Sequence, residues 1–298
     1  MTDGLKTIGI LSPGEMGTSV ALLLRERGMR VVTTLECRGP RSAARCHEAG
    51  FVVLNSFQEV VRESNVVISL VPPDVAEITA SRFTELARTA PAGAIFVDAN
   101  SIRPELIVAI AQRITAAGVG FVDASINGLA KNLRSSATLF LSGHRAQEIA
   151  SLFGDAMRVK ILSCEPGRAS AMKMLLGGLS KGMCALFLEV ALVARRNEML
   201  PEMLEASAQI YPGISALADR MLPTYAQHAA RRATEMHELV LMTRSGGLEP
   251  CLIDAIERLH DQLALVLFGD NHEDFNLFSL IELLGNEKFL SAVDSEKC

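Results

Sequence analysis

The spacing of hydrophobic positions divides the chain into two parts of different character. Up to about residue 162, short β-branched runs alternate with helix-length amphipathic stretches, a pattern typical of βαβ units around a parallel sheet. The first part is therefore predicted to be a doubly wound, mostly parallel α/β domain. Its predicted strands cover residues 7–11, 30–35, 66–71, 94–98, 120–123 and 137–142, and its first predicted helices cover residues 18–27 and 42–49.

Beyond Pro166 the apolar residues recur at helical spacing, and no strand pattern is found. A long, largely buried helix is predicted over residues 169–197, and an interruption is predicted at Pro223. The domains are therefore predicted to cover residues 1–164 and 165–298, the second being all-helical. Because the long apolar helix needs more cover than a small helical domain provides, a homodimer is expected. The shorter predicted helices cover residues 201–210, 214–230, 232–245, 250–267 and 275–284.

Composition narrows the classes of partner. The formal charge of −5 at pH 7 and the absence of a Lys/Arg-rich run disfavour binding to nucleic acid. The first residues lead directly into a short strand without a signal-peptide pattern or a long apolar segment, so a cytoplasmic protein without membrane contact is expected. The cysteines form no CxxC pair, which predicts buried free thiols and neither disulfides nor a metal site. They are Cys37, Cys46, Cys164, Cys184, Cys251 and Cys298.

A glycine-containing loop follows the first predicted strand. Its residues are Ser12-Pro13-Gly14-Glu15-Met16-Gly17, the dinucleotide-binding fingerprint with Ser12 where the first glycine usually stands. Gly14 would let the backbone approach a pyrophosphate, and Gly17 would let the following helix pack closely on the strand. The first amides of that helix would face the phosphates. The loop predicts a Rossmann domain that binds NAD or NADP, although an ordinary βα turn stays an alternative.

The end of the second predicted strand bears on the choice of cofactor. Glu36 could accept hydrogen bonds from the adenosine ribose, which favours NAD. Arg38 and Arg41, with the hydroxyl of Ser42, could instead hold a 2′-phosphate, which favours NADP. NADP is preferred because two guanidinium groups and a hydroxyl group cluster within this short segment, and both cofactors stay open.

The loop and four later segments, in the same order, resemble the β-hydroxyacid dehydrogenase family, which includes 3-hydroxyisobutyrate and 6-phosphogluconate dehydrogenases. The resemblance covers most of residues 7–200. It implies that Val71, Pro72, Pro73 and Asn100 lie beside the cofactor, and that Lys173 is the catalytic lysine. It further implies substrate contacts from Ser101, Asn127 and Gly128. The segments are Ser69-Leu70-Val71-Pro72-Pro73, Asp98-Ala99-Asn100-Ser101, Asp123-Ala124-Ser125-Ile126-Asn127-Gly128 and Gly167-Arg168-Ala169-Ser170-Ala171-Met172-Lys173.

This chain departs from the family's pattern at several positions. Asn127 stands where a serine is typical, and Gly177 stands where an asparagine usually follows the lysine by one turn. His237 and Glu238 are aligned with the family's Lys-Asp-Leu segment, which approaches the active site. These differences point to a less characterised subgroup with its own helical domain and leave the substrate open.

The helix that carries Lys173 has a narrow polar face. Ser170, Lys173, Gly177, Ser180 and Lys181 share that face, and their neighbours are apolar. Burial, and the positive charge of an oxidised nicotinamide, would lower the pKa of a lysine there. Such a lysine could exchange a proton with a hydroxyl or carbonyl oxygen while hydride is transferred.

The sequence thus predicts an NAD(P)-dependent dehydrogenase acting on a small hydroxy or carbonyl compound. Reduction of a C=N bond and a non-catalytic dinucleotide-binding or sensing role are the alternatives.

Overall fold

The computed structural model describes residues 6–36, 38–266, 275–287 and 289. The chain divides into two compact units, Met1–Met174 and Leu175–Cys298.

The first unit is built on an eight-stranded sheet in the order β3-β2-β1-β4-β5-β6-β7-β8. Neighbouring strands are parallel except β6 and β7, which pair antiparallel. The prediction of a doubly wound, mostly parallel α/β domain is therefore confirmed. The strands are β1 (Thr7–Leu11), β2 (Arg30–Thr34), β3 (Val52–Leu54), β4 (Val66–Ser69), β5 (Ile95–Asp98), β6 (Gly120–Asn127), β7 (Thr138–Ser142) and β8 (Arg158–Ser163).

Helices cover both faces of this sheet. Alternate residues of the central strands enter different apolar clusters: Ile68 packs with Leu24 on one face, whereas Val67 packs with Phe83 on the other. Because both faces are buried, ligands can approach the strands at their carboxyl ends. The helices are α1 (Glu15–Glu26), α2 (Pro40–Glu48), α3 (Phe57–Glu63), α4 (Pro73–Leu86), α5 (Pro104–Ala116) and α6 (Ala146–Phe153).

The outermost strands of the sheet were not predicted. β3 has only three residues and leaves Val52 and Val53 exposed, and β8 alternates charged with apolar residues. Both are edge strands, which have one neighbouring strand and therefore need fewer apolar residues than central strands. The strand predicted over residues 120–123 also ends too early, since pairing with β7 extends β6 from Asp123 to Asn127.

Among its described residues, the second unit contains most of α7 (Arg168–Arg196) and five further helices. The predicted interruption at Pro223 is confirmed by a 3₁₀ turn at Leu222–Thr224, but the predicted break before Arg232 is wrong. Arg232 lies inside a continuous helix and donates to Met221 O at 3.1 Å and to Thr224 Oγ1 at 2.7 Å. The helices are α8 (Leu200–Ile210), α9 (Pro212–Met221), α10 (Tyr225–Ser245), α11 (Cys251–Val266) and α12 (Leu277–Asn286). The predicted end of the fifth helix at Leu267 lies outside the described residues.

A polar pair is buried in the core of the second unit. The Tyr225 hydroxyl and His260 Nε2 are 2.9 Å apart, and His260 Nδ1 is 2.8 Å from Ile256 O. Since that carbonyl can only accept, Nδ1 carries the proton and Nε2 accepts from Tyr225. Burial lowers the pKa of His260 to about 4, so the ring is neutral at pH 7.

The sequence predicted a largely buried helix here, but α7 is not largely buried within one chain. One side contributes Phe187 and Leu188 to the core of the second unit. The other exposes Leu179, Leu186 and Val193. The helix is long and apolar enough to cross a membrane by length and composition, a test that core helices of folded domains also pass.

The first turn of α7 is bonded to the sheet. The buried carboxylate of Asp123, on β6, accepts hydrogen bonds from the backbone amides of Gly167, Ala169 and Ser170 at 2.8, 3.0 and 3.2 Å. It also accepts from the Ser170 and Ser142 hydroxyls at 2.6 and 2.8 Å. These bonds attach the start of α7 to the sheet of the first unit. The two compact units divide after Met174, inside α7. The domain boundary at residue 164 stays a prediction.

The cysteines do not share one environment. Cys46 and Cys184 are buried, but Cys164 and Cys251 are exposed, so the prediction of buried thiols is wrong for these two. Both exposed thiols lie at a helix or strand boundary, where packing is incomplete. Cys37 and Cys298 lie outside the described residues. No group of three or more His, Cys, Asp or Glu side chains within the described ranges could hold a metal ion.

Candidate dinucleotide and substrate site

The loop after β1 takes the shape that the fingerprint requires, although it begins with serine. Ser12 has φ 74°, in the left-handed region that favours glycine, and its carbonyl accepts a 2.8 Å hydrogen bond from Gly14 N. Ser12 therefore bears the strain of a left-handed conformation at the position where the fingerprint usually has glycine. Pro13 lies between these two residues and fixes its own φ.

Gly14 and Gly17 differ in what surrounds them. A Cβ atom on Gly17 would lie 2.5 Å from Ser12 O, so only glycine lets α1 pack this closely on the loop. A Cβ atom on Gly14 would meet no atom within 4 Å, which leaves open space above the turn. Gly14 caps α1 without a side-chain hydrogen bond, so the amides of Glu15, Met16 and Gly17 begin the helix uncapped. Open space beside uncapped amides fits a pyrophosphate group.

Glu36, two residues beyond β2, is already engaged in the fold. Its Oε2 atom accepts a hydrogen bond from Phe57 N at 3.1 Å and lies 2.8 Å from the Arg82 guanidinium. The pair joins the end of β2 to the start of α3 and to α4. Sequence reasoning missed Arg82 because nothing in its local pattern links it to Glu36, from which it is far away along the chain.

Arg38 and Arg41 flank the start of α2, and both are exposed. Gly39 caps this helix without a side-chain hydrogen bond, and Ser42 lies in its first turn, half-buried. The two guanidinium groups predicted to hold a 2′-phosphate are thus on the surface beside a helix start.

The segment after β4 contributes backbone to the carboxyl edge of the sheet. Val71 is buried in the core, Pro72 caps α4, and Pro73 is its first residue. Val71 could therefore face a bound molecule only through its main chain. Nearby, Ser69 is fully buried and accepts a 3.1 Å hydrogen bond from Asn100 Nδ2, which joins the ends of β4 and β5.

Asp98, at the end of β5, has a carboxyl group that is buried and only partly hydrogen-bonded. Its Oδ1 accepts from Asn100 N at 3.0 Å, but Oδ2 is buried without a hydrogen-bond partner among the described residues. Burial raises the pKa of Asp98 to about 7; the Asn100 amide opposes that rise, Asp123 adds to it, and the Lys173 charge lowers it. Sequence reasoning noticed the segment but gave this carboxyl group no role. Ser101, further along the segment, is partly exposed.

Lys173 lies one turn beyond Ser170 on the part of α7 that belongs to the first unit. Ser170 is fixed by Asp123, and the Ser125 hydroxyl donates to Ala169 O at 2.7 Å. Two side chains of β6 therefore orient the helix turn that carries Lys173. The lysine itself is partly exposed. Asp123, the group that positions it, was present in the recognised segment but had been assigned no function.

Asn127 is the last residue of β6, and Gly128 follows it. Asn127 Nδ2 lies 3.4 Å from Ser125 Oγ. Gly128 has φ 142°, and a Cβ atom there would lie 2.6 Å from the Cβ atom of Ala137. A structural need for glycine is therefore sufficient to explain position 128.

The predicted substrate residues of the second unit lie on two helices. Gly177 is on α7, where a Cβ atom would be 3.1 Å from Lys181 Nζ, and Lys181 is paired with Glu235 at 2.9 Å. His237 and Glu238 are on α10. His237 Nδ1 is 2.6 Å from Glu257 Oε1, and both line an open groove of about 800 Å³ between α10 and α11.

Two family models match the chain. Residues 7–154 match the NAD-binding domain of 6-phosphogluconate dehydrogenase, and residues 194–263 match a domain of unknown function, DUF1932. A solved protein of unknown function, described as structurally similar to 3-hydroxyacid dehydrogenases, is 31% identical with a TM-score of 0.67. The match covers 87% of this chain and 96% of that protein.

The chain belongs to the β-hydroxyacid dehydrogenase family. Among curated relatives, the mitochondrial 3-hydroxyisobutyrate dehydrogenase of Drosophila melanogaster is 27% identical over 167 residues, which span 54% of this chain and 49% of the fly protein. An imine reductase from Myxococcus stipitatus, solved with NAD⁺, shares the fold at 16% identity and a TM-score of 0.59, over 94% of this chain and all of that one.

Ser12 can be compared directly with glycine, the residue that the fingerprint usually has at this position. We expect Ser12→Gly to raise the free energy of unfolding by up to about 1 kcal/mol, since glycine removes the left-handed strain. Urea denaturation measures the change.

Ser135→Gly is the matched control, because Ser135 is exposed and lacks a positive φ. The free energy of unfolding of this control should fall by about 0.4–1 kcal/mol, because glycine gives the unfolded chain greater freedom. A loss in Ser12→Gly equal to that in Ser135→Gly would contradict the strain at Ser12.

Proposed function

We propose that this β-hydroxyacid dehydrogenase relative is an NADP-dependent oxidoreductase acting on a small hydroxy or carbonyl compound, with Lys173 as general acid and base. The observation that carries the proposal is the placement of Lys173, one helical turn beyond a Ser170–Asp123 hydrogen bond at the carboxyl side of β5, where Asp123 pairs with Asp98. Ligands of open α/β sheets bind at that side.

Residues of the first unit fit a dinucleotide. The uncapped start of α1 and the open space above Gly14 would receive the pyrophosphate. The backbone from Val71 to Pro73 and the side of Asn100 would border the nicotinamide half. When bound, the cofactor supplies or accepts the hydride.

Lys173 would donate or accept the proton of the reaction. As hydride reaches a carbonyl carbon, the carbonyl π electrons move to oxygen, and Lys173 Nζ donates a proton to that oxygen. In the oxidative direction, neutral Lys173 accepts the hydroxyl proton while hydride leaves carbon. Ser101, Asn127 and Gly128 are proposed to orient the substrate. The substrate roles of Gly177, His237 and Glu238 stay predictions from the sequence.

Carbonyl chemistry is preferred to the C=N reduction named for an imine reductase of the same fold. A lysine can protonate an oxygen as it becomes an alcohol, whereas likeness at 16% identity concerns the fold alone. A dinucleotide-binding protein without turnover is the remaining alternative. The cytoplasmic location stays a prediction.

The first experiment is a titration with NADPH and NADH, followed by reduced-nicotinamide fluorescence. We expect NADPH to bind at least about tenfold more tightly, because charge-assisted bonds from Arg38 and Arg41 would hold the 2′-phosphate. Arg38→Ala/Arg41→Ala should abolish that preference.

Arg45→Ala removes one positive charge, the same as each single substitution at Arg38 or Arg41, from the exposed last turn of α2 and should leave the preference unchanged. Binding of neither dinucleotide would refute the proposed function. A preference for NADH would refute only its NADP part.

Lys173→Ala should lower turnover by about 10²–10⁴-fold, the usual contribution of a general acid or base, with NADPH affinity nearly retained. Steady-state rates on a panel of small hydroxy acids, their oxo counterparts and cyclic imines provide the measurement. Lys160→Ala, which removes an exposed lysine on β8, is the control and should be as active as the wild-type chain.

Unchanged turnover in Lys173→Ala would remove this residue from the mechanism. NADPH binding without turnover of any panel compound would favour the non-catalytic alternative. Turnover of imines alone would favour C=N reduction.

We also propose a homodimer formed through the exposed apolar side of α7. Sedimentation velocity at micromolar concentration should give about twice the chain mass of 32.1 kDa. Leu186→Glu should produce monomers, whereas Ile78→Glu, at an equally exposed position on α4, should not. Particles of the single-chain mass in the wild-type protein would contradict the dimer.

A further inference from the structure

We propose that Arg82 determines the dinucleotide specificity of this protein by occupying the Glu36 carboxylate. The inference rests on the proposed NADP-dependent function and concerns the same binding site. Arg82 acts through Glu36 and is therefore a positioning residue.

The position of Glu36 presents a conflict. An acidic residue directly beyond the second strand of a Rossmann domain normally accepts hydrogen bonds from the ribose hydroxyls of NAD. A free carboxylate there would repel the 2′-phosphate of NADP, because like charges placed together are costly at a binding site. Yet Arg38 and Arg41 follow Glu36 closely and are suited to that phosphate.

The contacts of Glu36 resolve this conflict. Its Oε2 atom has two donors, Phe57 N at 3.1 Å and the Arg82 guanidinium at 2.8 Å. The first donor is part of the backbone at the start of α3, and the second supplies a full positive charge. The carboxylate is thereby directed toward α3 and α4 and its charge is balanced.

Arg82 is held in place by more than its partner. Its guanidinium carbon lies 4.7 Å from the centroid of the Phe57 ring, and that ring is buried. Phe57 thus provides a backbone donor to Glu36 and an aromatic face to Arg82. The three groups form one unit that joins the end of β2, the start of α3 and α4.

The electrostatic consequence is specific to the phosphate. With Arg82 present, Glu36 and Arg82 balance each other, and the charges of Arg38 and Arg41 remain for a dianionic group. Without Arg82, Glu36 would offset one of these charges and would be available to a ribose hydroxyl. Because both partners are about one-third or more exposed, their pairing should contribute little to stability.

The test measures the ratio of NADH to NADPH dissociation constants in Arg82→Gln, Glu36→Gln and the double variant. We expect Arg82→Gln to bind NADPH more weakly and NADH more tightly, lowering the ratio at least about tenfold. The double variant should recover the NADPH preference, because it no longer carries the released carboxylate. The thermal midpoint of all three should stay close to that of the wild-type chain.

Arg113→Gln is the matched control. Arg113, on α5, forms a similar exposed ion pair at 3.0 Å with Glu77, which lies on α4 as Arg82 does. Loss of the Arg113–Glu77 pair should leave the ratio of dissociation constants unchanged. If the wild-type protein binds NADPH and Arg82→Gln retains the ratio, the role of Arg82 is refuted while the proposed function stands.

Failure of Glu36→Gln to restore the ratio in the double variant would also refute it, because Arg82 would then act on the phosphate directly. Binding of neither dinucleotide by the wild-type chain would refute the proposed function and this inference with it.

Discussion

The buried carboxylate of Asp123 holds together the parts on which the candidate site depends. It accepts hydrogen bonds from three backbone amides and a hydroxyl group at the start of α7 and from a hydroxyl group of β7. A buried ionised carboxylate is tolerated only when its oxygens are so well satisfied. In return, the first amides of α7 gain a negatively charged partner, which is favourable at a helix start. The position of Lys173 follows from this arrangement, since it lies one turn further along the same helix.

The loop from Ser12 to Gly17 illustrates a different constraint, in which a serine takes a backbone conformation that favours glycine. Ser12 adopts a left-handed conformation at the position where the fingerprint usually has glycine. Gly17 could not be replaced in the same way, because any side chain would meet the carbonyl oxygen of Ser12. Strain can be borne where there is space, whereas overlap with a backbone atom cannot be relieved by rotating a side chain.

Much of the fold could be predicted from local patterns, and the exceptions have physical causes. The central strands were found because burial on both faces selects continuous apolar runs, as in β4 and β5. β3 and β8 were missed because an edge strand needs no such run. Helix α10 was divided at the wrong place because Arg231 and Arg232 resemble a surface break, yet Arg232 folds back to cover the turn at Pro223.

The same distinction applies to the site. The glycine loop and Lys173 lie in segments with recognisable order, so they could be named from the sequence, although their roles remain proposals. The Glu36–Arg82 pair and the environment of Asp98 arise from residues that meet only in the folded chain. Local patterns carry no information about such meetings.

The buried carboxyl group of Asp98 also links the stability of the first unit to proton uptake. Its pKa of about 7 in the folded chain lies above the ordinary value of 3.8, so folding between these values takes up a proton. This contribution to stability is fully present in acid, declines as the pH rises through that window, and is lost above pH 7. Near neutrality, the heat of unfolding would therefore include the heat of protonating the surrounding buffer.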